Sequence, residues 1–97
     1  MSLSLNKMNR TVISNGKEKH FTEKEFDILS FLVSHPDQIY TPEEIYESVW
    51  NEKPYKCRQI ICVHICHIRE KIEQNPSAPQ LLSSFWKKGY RFNSCFA

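Results

Sequence analysis

The side chains with the greatest chemical potential crowd into the C-terminal half of the chain. Cys62 and Cys66 stand four residues apart, with His67 beside the second. Two ligands one helical turn apart can share a metal, but a stable site needs three or four, and Cys57 is the one other obvious candidate nearby. Cysteines at this spacing on a helix also fit disulfide geometry poorly. The thiols have histidines close in sequence but no evident third group to orient a thiol–imidazole pair. No glycine-rich phosphate loop, nucleophile elbow or His-Glu zinc-hydrolase motif occurs. The expectation is a protein that is not an enzyme and that uses no metal or cofactor.

Charge placement is more informative than chemistry. The net charge is only +2. Residues 18–52 nevertheless carry nine acids against Lys19 and Lys24, whereas residues 53–97 carry eight bases against Glu70 and Glu73. A polyanion would meet the C-terminal half. There Arg69, Lys71, Lys87, Lys88 and Arg91 are positioned in sequence to neutralise phosphates.

The 97 residues make one domain by size, expected to span 1–97, and 40% apolar with 25% charged residues is ordinary for a globular protein. The longest apolar run, Ile60 to Val63, is far too short to span a membrane. Met1 to Leu5 lacks the basic start and apolar stretch of a signal peptide, so a cytoplasmic protein with reduced thiols is expected.

The elements that must position these residues follow from local patterns. Thr11–Ser14 and Lys17–Phe21 flank Asn15-Gly16, which suits a type I′ hairpin turn. Thr22-Glu23-Lys24-Glu25 is a capping box opening a helix through Phe26, Leu29, Leu32 and Val33, which should end near His35 because Pro36 follows. Thr41-Pro42-Glu43-Glu44 is a second capping box with proline at the first helical position. Asn51 to Lys56 reads as a loop, and Arg58 to Gln74 as the longest helix. Ile61, Ile65, Ile68 and Ile72 form a single stripe on it, expected in the core. Gln59, Cys62, Cys66, Arg69 and Glu73 form a neighbouring stripe expected to be more exposed. Leu81–Ser84 and Tyr90–Asn93 read as strands around Phe85 to Gly89. The fold class is α+β: a winged helix-turn-helix with an N-terminal antiparallel sheet, three helices and a C-terminal β-hairpin wing.

From about Leu5 to Phe92 the chain resembles the effector domain of OmpR/PhoB-family response regulators. The matching segments are Phe21 to Phe26, His35-Pro36, Thr41 to Ile45, Val49-Trp50, Val63-His64-Ile65, Ile68 to Ile72 and Gly89-Tyr90-Arg91-Phe92. The resemblance implies a four-stranded N-terminal sheet, a third helix that enters the DNA major groove and a hairpin at the adjacent minor groove. It further implies contact between the 51–56 loop and RNA polymerase, tandem dimerisation on DNA, and a preceding receiver domain for which 97 residues leave no room. By position it gives Trp50 a backbone contact, His64 a phosphate contact and Arg69 a retained DNA-facing role.

Departures from the family pattern fall on the DNA-facing positions. Gln59 stands where an arginine commonly contacts phosphate, and Cys66 and His67 replace serine or arginine and then arginine. In the wing, Ser84-Phe85-Trp86-Lys87-Lys88-Gly89-Tyr90 carries Trp86 in place of the minor-groove arginine. Gln59, Cys62, Cys66 and His67 are therefore the candidates for facing base edges, and Trp86 for stacking or wedging. Two other readings stay open: a degenerate winged helix that binds RNA polymerase or its receiver, and a thiol sensor that binds DNA only when reduced.

Overall fold

A computed structural model describes residues 3–96; Met1 and Ser2, part of the N-terminal stretch read above, and Ala97 lie outside it. Three strands, β1 (Leu3–Asn6), β2 (Thr11–Ser14) and β3 (Lys17–His20), form an antiparallel sheet in the order β1-β2-β3. Asn15 and Gly16 both take positive φ at the β2–β3 turn, as the Asn-Gly pair predicts. The resemblance implied four strands; three are present among the described residues.

Helices α1 (Glu23–Ser34), α2 (Pro42–Trp50) and α3 (Arg58–Ile72) follow, then β4 (Leu82–Phe85) and β5 (Gly89–Phe92) as an antiparallel hairpin. Both capping boxes form: Thr22 and Thr41 accept from the backbone N–H of Glu25 and Glu44, whose carboxylates accept in return. The α1 helix stops at a His35 cap, one residue before Pro36. The α2 helix stops at Asn51 in the left-handed conformation.

The core joins all layers. Val12 of β2, Ile28, Leu29 and Leu32 of α1, Ile45 of α2, Ile61, Ile65, Ile68 and Ile72 of α3 and Leu82 and Phe92 of the hairpin form one buried cluster. Polar ties hold α3 at both flanks. The Ser14 hydroxyl donates to the Ile72 carbonyl at 3.0 Å, and Lys71 Nζ donates to Glu25 Oε1 at 2.6 Å and to the His20 carbonyl. Tyr40 and Tyr90 exchange backbone hydrogen bonds, so the hairpin is anchored to the segment before α2. That closeness requires Gly89, whose φ is +136° and whose hypothetical Cβ would meet the Tyr40 carbonyl oxygen at 1.9 Å.

Two outcomes follow. Gly89→Ala combines a forbidden φ with a backbone clash and should lose on the order of 2–4 kcal/mol in denaturant unfolding; full stability would contradict the Tyr40–Gly89 approach. For Glu25, burial pushes the carboxyl's pKa up, but hydrogen bonds from Lys71 and the Thr22 N–H, with the charges of Lys71 and His67, outweigh it and hold it below the ordinary 4.5. A folded pKa below the unfolded one gives stability that is present above the unfolded value and lost as pH falls through the folded one. Glu25→Gln should therefore be less stable at pH 7 and show a flatter acid limb when unfolding midpoints are measured against pH. Parallel acid limbs in parent and variant would exclude this pairing as a source of stability.

Candidate nucleic-acid interface

The α2 helix, the 51–57 turn and α3 form the helix-turn-helix. Lys56 takes positive φ just before α3, and Cys57, buried, occupies the N-cap. Burial first, then the nearby Glu43 carboxylate, push the Cys57 thiol's pKa up, so it stays protonated and inert. Unlike α1 and α2, α3 has no side-chain cap and no acid in its first turn. Its first-turn N–H groups and positive dipole end are left for an outside acceptor.

Burial of Ile61, Ile65, Ile68 and Ile72 sets the helix rotation. At roughly 100° per residue, the opposite face carries Gln59, Val63, Cys66 and Glu70, with Ile60 and His67 on one side and Cys62 on the other. All seven are exposed. The sequence reading singled out Gln59, Cys62, Cys66 and His67 but passed over Ile60, Val63 and Glu70. Their signal was available, since Val63 and Glu70 lie nearly opposite the isoleucine stripe. Val63 is 44% exposed at the centre of this face and Ile60 41% exposed at its edge, which makes the face partly apolar.

Arg69 is more committed than its stripe suggested. It is half-buried, and its Nε and Nη2 both donate to the Leu82 carbonyl, at 3.1 and 2.9 Å. Its guanidinium also lies over the Tyr90 ring at 5.9 Å. It thus rivets α3 to the hairpin. Lys71 and Arg91, grouped above with the phosphate-neutralising cations, need correcting. Lys71 is taken up by Glu25 and His20, and Arg91 donates to Asn93 and stacks on Phe85. His67 sits on the opposite flank from Arg69, with Nδ1 3.5 Å from the buried Glu25 carboxylate.

Trp50 and His64 come together where α2 ends. The Trp50 indole stacks on Tyr46 at 4.7 Å, meets His64 edge-on at 5.6 Å and lies under Lys24 Nζ. His64 Nδ1 lies 2.8 Å from the Ile60 carbonyl, which can only accept, so Nδ1 carries the proton. The neutral ring's Nε2 is then an acceptor, and donation to a phosphate requires the imidazolium.

The hairpin tip projects Trp86, 87% exposed, with Lys87 in the left-handed conformation and Lys88 beside it. Between this tip and the start of α3 lies an open groove of about 480 Å³ lined by Arg58, Ser84, Trp86, Lys87, Lys88 and Tyr90 among others. Arg58 is paired with Glu43 at 3.0 Å across the α2–α3 turn. Lys87 and Lys88 have no salt bridge or side-chain hydrogen bond among the described residues. No helix among those residues is long and apolar enough to cross a membrane.

Comparison with known proteins agrees with this architecture. The family model described as "Transcriptional regulatory protein, C terminal" matches residues 16–92. The transcriptional regulatory protein YcbL of Bacillus subtilis is 41% identical over 83 residues, which cover 86% of this chain and 37% of that protein. The regulatory protein VanRc of Enterococcus gallinarum is 36% identical over 75 residues, covering 77% and 32%. The chain thus spans only about a third of the length of these relatives. Among solved structures, the DNA-binding domain of Klebsiella pneumoniae RstA, in complex with the RstA box, superposes with a TM-score of 0.83 at 25% identity over 96% of this chain and 92% of that one. The Thermotoga maritima response regulator DrrB, an OmpR/PhoB homologue, gives 0.81 at 30% identity over 95% of this chain and 42% of that one. A match over most of the chain, to a family of transcriptional regulators rather than catalysts, joins the winged helix-turn-helix described above: this chain belongs to the family of transcriptional regulatory protein C-terminal domains, of the OmpR/PhoB type.

Proposed function

We propose that this chain is the DNA-binding output domain of a cytoplasmic two-component response regulator, laying α3 in the major groove and the β4–β5 tip at the adjacent minor groove. The observation that carries the reading is the exposure of the outward face of α3 together with a groove that runs from the uncapped α3 start at Arg58 to Lys87 and Lys88, which are unpaired among the described residues. It is supported by relatives named as response regulators, such as SaeR of Staphylococcus aureus, and by the RstA domain's structure with its box. The receiver domain would precede this chain in the whole protein. The 51–56 loop, which displays Tyr55 and Lys56, would meet RNA polymerase, and two copies would bind in tandem.

Within this reading the residues divide by chemistry. Lys87 and Lys88, the α3 N–H groups, Trp50 and His64 meet phosphates, which gives affinity without sequence information. Ser84 and Trp86 line the wing's approach to the minor groove, where an exposed indole can wedge at a base step. Arg69 sets the hairpin's angle and offers its remaining donors to the duplex. Gln59, Cys62, Cys66 and His67 face base edges. Because Val63 gives that face an apolar middle, with Ile60 at its edge, thymine methyl groups are the base features it reads best. That same apolar middle, with the anionic Glu70, favours the second reading, a protein-docking face that has given up DNA.

Two measurements separate them. Lys87→Ala with Lys88→Ala should weaken binding to all duplexes alike and reduce the salt slope by about two; unchanged binding at low salt would remove the hairpin from the interface. Replacing thymine by uracil in a selected duplex deletes only the C5 methyl. Parent binding should fall about fourfold per contacted methyl, the worth of one buried methyl at roughly 0.8 kcal/mol, and Val63→Ala should be insensitive. No selectable duplex would favour the protein-docking reading, and equal loss in parent and variant would remove Val63 as a reader.

A further inference from the structure

We propose that Cys62 and Cys66 form a dithiol site for trivalent arsenicals on the outward flank of α3. Four residues apart on a continuous helix, their Cβ atoms stand about 5–6 Å apart. That is wider than the roughly 3.8 Å a disulfide prefers, but it suits one large, pyramidal atom bridging the two sulfurs. Both thiols are exposed, and the buried isoleucines behind them hold the helix rigid. Tetrahedral metals want more: no group of three His, Cys, Asp or Glu side chains capable of holding an ion exists among the described residues. A soft centre satisfied by two thiolates and one ligand of its own is the class that fits.

The surroundings favour this class. Tyr90 neighbours Cys62; burial, then the Cys62 thiol, push its hydroxyl's pKa up. The Arg69 guanidinium over the Tyr90 ring adds positive charge near the pair. Exposed Val63, next to Cys62, offers apolar surface to an organic substituent. Cys57 is buried with its thiol pKa raised, and Cys95 lies in the turn after β5, so neither completes the pair.

Binding is a substitution, not a redox step. A hydrated arsenical, R–As(OH)2, loses both hydroxyls as two waters, each taking the proton of one thiol. Two As–O and two S–H bonds break, two As–S bonds form, and arsenic stays trivalent. The site stands on the cysteine geometry alone. Its consequence, that an occupied site blocks α3 from a duplex, rests on the DNA-binding reading above.

The test titrates the reduced chain with phenylarsine oxide, read by intact mass and free-thiol count. One equivalent should bind with loss of two thiols and be released by a dithiol but not by an equal amount of monothiol thiols. Cys62→Ser and Cys66→Ser should each weaken uptake at least about tenfold, while Cys95→Ser leaves it unchanged. Undiminished uptake in either of the first two variants overturns the site. In parallel, the parent's duplex binding should fall at least about tenfold at one equivalent, whereas the duplex affinity of each variant, whatever its starting level, should not change on adding the arsenical; duplex binding that persists with arsenical bound overturns the blocking consequence. A chain that takes up the arsenical but binds no duplex beforehand contradicts the DNA-binding reading and leaves the dithiol site standing.

Discussion

Everything on the exposed face of α3 depends on how the other face is seated. Ile61, Ile65 and Ile68 are wholly buried and Ile72 nearly so, packed among residues of α1, α2, β2 and the hairpin. A helix turns about 100° per residue, so shifting that stripe by one position would carry Cys62, Cys66 and Arg69 toward the core and swing the isoleucines out toward water. Burying four isoleucines is worth roughly 1.5–3 kcal/mol each relative to exposure, before entropy is counted. Rotation is therefore the best-determined feature of the interface. The polar ties are directional refinements of it: Lys71–Glu25 sets the α1 side and Arg69–Leu82 the hairpin side.

These ties explain why a helix in a basic half of the chain offers so little free positive charge. Arg58, Arg69, Lys71 and Arg91 all face partners within the domain. The hairpin lysines and the uncapped α3 start are left to attract a polyanion, and the helix face itself is neutral to apolar. On the DNA-binding reading proposed above, such a surface would gain less from counterion release and rely more on contact with base edges. The contrast among helix starts fits the same division: two complete capping boxes where the helix N-termini are satisfied within the domain, none at the start of the helix that faces outward.

Most of the fold was legible because its signals are local. The Asn15-Gly16 turn, the Thr22 and Thr41 capping boxes, Pro36 and the isoleucine period each identify an element without tertiary information, and each element lies within about a residue or two of its expected bounds. The site was less legible because side-chain fate is tertiary. Sequence spacing put Arg69 and Lys71 among the outward cations, but only packing brings the Leu82 carbonyl, the His20 carbonyl and the Glu25 carboxylate to them. The anchoring of the hairpin on Tyr40 was also hidden, since it joins residues fifty positions apart and leaves only a glycine as its trace. Ile60 and Val63 were overlooked for a different reason: apolar residues in a helix invite a core assignment, although their angle to the stripe places them in solvent.

On the proposed reading, one continuous surface, the outward face of α3 with the β4–β5 tip, meets double-stranded DNA. Amide chemical-shift mapping of the isotope-labelled chain during titration with a selected duplex tests it most directly. The account predicts the largest perturbations at residues 58–67 and 84–90, together with the Trp50 and Trp86 indole N–H signals, while β1–β3 stays still. Perturbations confined to the 51–56 loop or the N-terminal sheet, or none at a duplex concentration that saturates the RstA domain, would contradict it.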